Sequence, residues 1–216
     1  MSLTMPEEIL LLMLDDDTGR LHDSAAPAGD YALAGAILAE LALEQRIDTD
    51  PPRLRLRDAS PTGDDVLDDV LARIQAEPKP RDSRWWLDLL VRDIERYRNA
   101  YFDRLVRKGV LRAEEGRFLW IFAERRYPVI SDKEEREVKA RLMSVIFEDG
   151  PPSPRDSLLI GLTRAAGLFP LLLAPGELQH AQARIEAVSR HEALNETISD
   201  AVRDIFKEIA RYSPVV

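Results

Sequence analysis

Residues 158–166 read LLIGLTRAA, a run that carries apolar side chains on several faces when wound at helical spacing. A helix with no face to give to water belongs at the centre of a bundle, so this stretch sets the fold class as mainly α: a single-domain helical bundle around a central apolar helix, with one or two short β-hairpins. The flanking segments fit that frame. Thr4 and Glu7 have the spacing of a capping box ahead of the apolar run Ile9–Leu14. Asp30 is placed to cap a second helix whose core face includes Leu33, Ile37 and Leu41, with Ala34, Gly35 and Ala36 allowing close backbone approach.

Farther along, RIDTDPPRLRLRD (46–58) alternates Leu54 and Leu56 with Arg53, Arg55 and Arg57 behind a Pro-Pro turn, which predicts a hairpin over about 46–57. A third helix is expected near Thr62, with Val66, Leu67, Val70, Leu71 and Ile74 on one face. Ser83 is expected to cap one helix running to Gly109, with Ile94, Tyr97, Tyr101 and Leu105 on its core stripe and Gly109 as its left-handed stop. VLRAEEGRFLWIF (110–122) predicts a second hairpin over about 110–123, turning at Glu114, Glu115 and Gly116. Ser131 with Glu134 starts a helix through Ile146, and Ile198, Val202, Ile205 and Ile209 mark a closing amphipathic helix. With no internal repeat, residues 1–216 are read as one domain.

Composition narrows the function. The 216 residues contain no cysteine, which excludes a disulfide framework, thiolate-bound metals and thiol catalysis. No apolar run approaches the roughly 20 residues that span a bilayer, and MSLTMPEEIL lacks the basic start of a secretory signal, so the expected location is cytoplasmic, with peripheral membrane association. Richness in Ala, Leu, Arg and Asp points to a GC-rich bacterial source. A net charge of −9 argues against a chain that coats nucleic acid.

No catalytic signature is present: the sequence has no GxxxxGK loop, dinucleotide glycine fingerprint, HExxH or GxSxG elbow. No enzyme and no cofactor are expected. Glu177 and His180 have a metal-ligand spacing but no companion pair, and Asp15–Asp17 and Asp64–Asp65 lie where turns and helix starts favour carboxylates, so no metal site is expected. The alternative from local pattern is a winged-helix-like nucleic-acid-binding regulator, because a helix twice runs into a hairpin. A further alternative is an oligomeric interaction scaffold: Phe118, Leu119, Trp120, Ile121 and Phe122 cannot all face inward on one strand, and contact with another subunit, or secondarily a membrane, would cover them.

Four stretches, EEILLLMLDDDTGRL (7–21), AGAILAELALEQRI (34–47), SPTGDDVLDDVL (60–71) and LVRKGVLRAEEGRFLWIF (105–122), together resemble the Golgi phosphoprotein 3 family. The resemblance runs from about Met5 to Tyr212. It implies a mostly helical domain with a protruding hairpin, acting without catalysis as a peripheral membrane adaptor; eukaryotic members bind phosphatidylinositol 4-phosphate in a basic pocket and engage cytosolic tails of Golgi glycosyltransferases. That pocket uses a tryptophan before the second helix, an arginine on it, and two arginines one turn apart on the helix preceding the hairpin. Here the loop LHDSAAPAGD has no tryptophan, Ala34 and Glu95 stand at two of the arginine positions, and Arg98 matches the remaining one. Candidate ligand residues are therefore Arg98 from the resemblance, with Arg96 and Arg20 from local charge, and the expected partner is an anionic phospholipid head group or membrane surface.

Overall fold

The computed structural model describes residues 3–15, 18–22, 28–48, 53–116, 124–126, 132–148 and 150–189. Within them the elements run α1 (Met5–Met13), α2 (Ala28–Leu43), β1 (Ile47–Asp48), β2 (Arg55–Leu56), α3 (Asp65–Ala76), α4 (Ser83–Val91), α5 (Ile94–Arg107), β3 (Glu114–Gly116), β4 (Glu124–Arg126), α6 (Asp132–Phe147), α7 (Pro154–Ala165), α8 (Phe169–Leu172) and α9 (Pro175–Ser189). The architecture is mainly α, as the apolar patterning predicts, with two antiparallel two-stranded sheets among the described residues.

Three helices share the centre. Helix α7 is buried from Asp156 to Thr163, as expected, but all nine residues of α1 are buried too, and α2 is covered from Ala32 to Ala42. Helix α1 packs against α2, α5, α6, α7 and α8, and α2 against α1, α3, α4, α5, α7 and β1. The small residues Ala34, Gly35 and Ala36, all buried on α2, let these backbones approach closely.

Local chemistry fixes the ends. Asp64 caps α3, accepting from the amides of Val66 at 2.9 Å and Leu67 at 3.2 Å. Gly109, at φ +74°, closes α5 with the Val110 amide reaching back to the Leu105 carbonyl at 3.0 Å. At the end of α2, Gln45 takes the same left-handed conformation at φ +57° without being glycine.

Several sequence expectations shift in detail. Asp30 does not cap α2: the helix starts at Ala28 and Asp30 lies in its first turn. The single helix expected from Ser83 is two, because Arg92 and Asp93 donate to carbonyls only three residues back, at 3.3 and 3.0 Å, and the chain re-enters helix at Ile94. Trp86, Leu87 and Leu90 before the break and Ile94, Tyr97, Tyr101 and Leu105 after it are all buried; both helices pack on α2, and α5 also packs on α1. The N-cap of α4 is Asp82, whose Oδ1 accepts from Trp85 N at 2.8 Å, so Ser83 becomes the first helical residue. The first hairpin pairs Ile47 with Leu56 and Asp48 with Arg55. In the second, Glu114–Gly116 is not the turn but a strand paired with Glu124–Arg126. Val110 and Leu111, expected in that hairpin's first strand, are drawn into the core behind the α5 stop, so pairing begins three residues later. Ser131, Phe118–Phe122 and the helix expected around Ile198–Ile209 lie outside the described residues.

Charges are buried where the central helices meet. Glu40 of α2 accepts the amide of Met5, the first residue of α1, at 2.6 Å and is gripped by Arg155 of α7 at 2.6 and 3.0 Å. Arg141 of α6 bridges Glu8 at 2.7 Å and Asp156 at 2.5 Å. Glu7 receives Lys108 at 2.7 Å and returns the capping-box contact to Thr4 N at 2.7 Å. Four carboxylates thus face three cations. Two of the glutamates keep an oxygen without a hydrogen bond: Oε1 of Glu7, and Oε2 of Glu8, which lies 3.6 Å from Arg155; the Glu8 carboxyl is also shifted. Burial pushes its carboxyl above 4.5, against the lowering effect of Arg141 and Arg155.

Truncating Glu40 orphans the Met5 amide and leaves Arg155 without its main partner. Glu40→Ala should cost about 3 kcal/mol, the low end for breaking a buried pair because Arg155 retains some solvent, read as a lower urea midpoint. The Glu8 carboxyl has a folded-state pKa above its unfolded one, so its contribution is fully present below the unfolded value of 4.5 and is lost as pH rises through the folded value. The urea midpoint of the native chain should therefore gain a component on mild acidification that Glu8→Gln lacks; equal pH profiles for the two proteins would contradict it.

Candidate ligand-binding site between α2 and α5

Helix α5 carries two of the three candidate cations, two residues apart. On a helix that separation is about 200°, so Arg96 and Arg98 leave on nearly opposite sides. Arg96 turns to α3, where it binds Asp69 at 2.8 Å and lies over the Tyr97 ring at 4.8 Å. Asp69 also takes the Tyr97 hydroxyl at 2.7 Å and Arg73 at 3.1 Å. Burial raises the Asp69 carboxyl, but the bonds from Tyr97 and Arg96 outweigh it and hold the group below its ordinary value. The Tyr97 hydroxyl is pushed up to about 12 by burial and by that same carboxylate. Arg96 thus joins an α3–α5 contact while its side chain stays 57% exposed.

Arg98 turns the other way, to the first turn of α2, where its Nη2 donates to Asp30 Oδ1 at 2.5 Å. Both side chains keep a share of solvent, 22% and 29%. The next residue, Tyr31, donates its hydroxyl to Asp88 of α4 at 3.0 Å, which ties the corner to a third helix. Amides in the first turn of a helix have no intrahelical acceptor and the dipole there is positive, so a guanidinium beside this turn makes a local attraction for anions. In this chain Asp30 already supplies the anion. Ala34, one turn farther along α2, is fully buried, and Glu95, one turn before Arg98, is exposed. The corner therefore has one partly exposed arginine, matched by one internal carboxylate.

Arg20 lies in the short return after α1, held where its carbonyl accepts the Asp15 amide at 2.8 Å and Leu21 bridges to Leu14. This return borders a pocket of about 220 Å³ lined by Leu12, Leu14, Asp15, His22, Lys139, Leu171 and Leu172. A larger cleft, about 410 Å³, opens above the buried charges and is lined by Leu3, Glu8, Glu134, Glu137, Val138, Arg141 and Arg155. Its two arginines already serve Glu8, Glu40 and Asp156, and three carboxylates line it with them. It has no surplus positive charge for a phosphate. His180 is exposed on α9, and no group of three potential metal ligands occurs among the described residues.

Two features escaped the sequence reading. Asp30 reads as a cap because an acid near a helix start needs no other explanation; its pairing with Arg98, 68 residues away, is legible only in three dimensions. The Glu7, Glu8 and Glu40 cluster left a signal, since carboxylates embedded in otherwise apolar helices require buried partners.

The chain is 32% identical over 166 residues to the vacuolar protein sorting-associated protein 74 of Eremothecium gossypii, an alignment that takes in 67% of this chain and 49% of that protein. The chain spans about half the length of the curated relative it matches. A family model described as Golgi phosphoprotein 3 (GPP34) matches residues 5–209, nearly the whole bundle together with the α2–α5 corner. The chain belongs to the Golgi phosphoprotein 3 (GPP34) family.

Proposed function

We propose that this chain is a non-catalytic adaptor that attaches peripherally to membranes through anionic lipid head groups received at the α2–α5 corner. The observation that carries the reading is the partly exposed Arg98 held at the start of α2 by Asp30. A head-group phosphate has the charge and acceptor geometry to replace the Asp30 carboxylate on the guanidinium, with first-turn amides of α2 close by. The relative's name associates it with vacuolar protein sorting, and a role that links a membrane surface to protein cargo is the reading carried to this chain. No described helix is long and apolar enough to cross a membrane, which fits attachment at a surface.

The same chemistry limits selectivity. A phosphomonoester bears close to two negative charges and calls for several converging donors. This corner offers one arginine, an internal competitor in Asp30 and an exposed Glu95 one turn away. General anionic lipid should therefore serve nearly as well as phosphatidylinositol 4-phosphate at matched charge. The nucleic-acid alternative gains no support from the first helix–hairpin unit: α2 is buried on all sides along Ala32–Ala42 and has no face to place in a groove.

Vesicle flotation tests the proposal. The chain should float with phosphatidylcholine vesicles doped with phosphatidylglycerol or phosphatidylinositol 4-phosphate, to similar extents, and not with phosphatidylcholine alone. Arg98→Gln should reduce recovery about fivefold, the value of one cation at an anionic surface, and Asp30→Asn should increase it. Absence of flotation with every anionic vesicle would refute the membrane reading, and flotation with the phosphoinositide alone would refute the weak selectivity.

A further inference from the structure

Helix α4 departs from the pattern of an ordinary surface helix. Its inner face is apolar, with Trp86, Leu87 and Leu90 buried. Its outer face should then be polar. Instead the positions that share that face by i, i+4 spacing include Trp85 and Leu89, both partly exposed, set between the exposed Arg84 and Arg92. Arg81, just before the helix, lays its guanidinium over the Trp85 ring at 4.8 Å, and Trp86 meets the same indole edge-on at 4.9 Å. The indole is thus held in one orientation at the surface.

Two arginines, Arg84 and Arg92, are exposed on this face in a chain whose net charge is −9, and Arg81 adjoins it. Asp88 is the one acid on the outer stripe of α4, and it is occupied by the Tyr31 hydroxyl at 3.0 Å and by Arg84 at 3.9 Å. That same Tyr31 follows Asp30, so the α4 face is continuous with the corner that holds Arg98.

From these observations we infer that the outer face of α4, Arg84, Trp85, Leu89 and Arg92, is the surface that lies on the bilayer. A tryptophan and a leucine flanked by arginines suit the interfacial zone, where the rings and aliphatic groups sit at the boundary of the acyl chains and the cations meet anionic head groups. The inference rests on the membrane reading above and adds to it the orientation of the bound protein: α4 faces the lipid and Arg98 sits at the edge of the contact. An acidic protein partner would meet the same arginines but would gain nothing from a lipid-depth position for residue 89.

The absence of cysteine from the whole chain provides a clean probe. Leu89→Cys in the 216-residue chain, labelled with an environment-sensitive nitrobenzoxadiazole group, should show a blue shift and a severalfold rise in emission with phosphatidylcholine–phosphatidylglycerol vesicles, and quenching by a quencher attached to the lipid chains. The same label at Gln179→Cys, on the exposed side of α9, should show neither. In the unlabelled protein, Arg84→Gln and Arg92→Gln should each weaken partitioning about fivefold with unchanged circular dichroism. If the protein floats while the residue-89 label stays silent, the α4 assignment is wrong and the membrane reading stands. Failure to float removes both. A label response that depends on protein concentration without lipid assigns the face to a second copy of the chain and overturns the inference.

Discussion

Glu40 sits at the junction on which the other contacts depend. A carboxylate on a helix buried along most of its length is costly unless every lone pair finds a donor. Here the donors come from two different helices: the amide of Met5, which begins α1, and the guanidinium of Arg155, near the start of α7. One side chain therefore satisfies an orphan amide and fixes the starts of two helices against a third. Glu8 and Glu7 extend the arrangement to α6 through Arg141 and to the end of α5 through Lys108. Apolar packing alone would let these helices slide along one another; the polar contacts select one register. Burial at this junction holds the Glu8 carboxyl above its ordinary value.

Tethering by Lys108 has a consequence at the other end of α5. With its C-terminal end held to α1 and its first turn to α3 through Arg96 and Tyr97, α5 presents Arg98 to the start of α2 in a fixed position. Three cations of the basic stretch are engaged in this way: Arg96 by Asp69, Arg104 by Asp64 and Lys108 by Glu7. Arg84 and Arg92 are exposed on α4, beside the corner that holds Arg98. On an acidic protein, exposed arginines of this kind suit a weak, reversible contact with an anionic surface better than a tight pocket for one ligand.

Much of the fold was legible because period and punctuation agree. The apolar run at 158–166, the small residues at 34–36, the stop at Gly109 and the alternation at 53–57 each have a local cause and each form as expected. The misreadings arise where a distant partner overrides local pattern. The helix from Ser83 breaks at Asp93, whose carboxylate is engaged by Arg73 of α3 at 2.7 Å. Glu114–Gly116 looks like a turn, yet Val110 and Leu111 are claimed by the core and the strand starts later. At the candidate site the resemblance singled out Arg98 and local charge added Arg96. Their partners separate them: Asp69 draws Arg96 to α3, while Asp30 holds Arg98 at the start of α2.

On the proposed reading, exposed arginines on an acidic chain join it to anionic membranes by electrostatics supported by shallow apolar contact. The salt dependence of partitioning onto phosphatidylglycerol-containing vesicles tests it most directly, because the Debye length shrinks from about 30 Å at 0.01 M to about 3 Å at 1 M. The account predicts measurable binding at the lowest salt that falls by roughly tenfold or more across that range, as several surface cations are screened. Binding that is absent at low salt, or that does not change with salt, would contradict it.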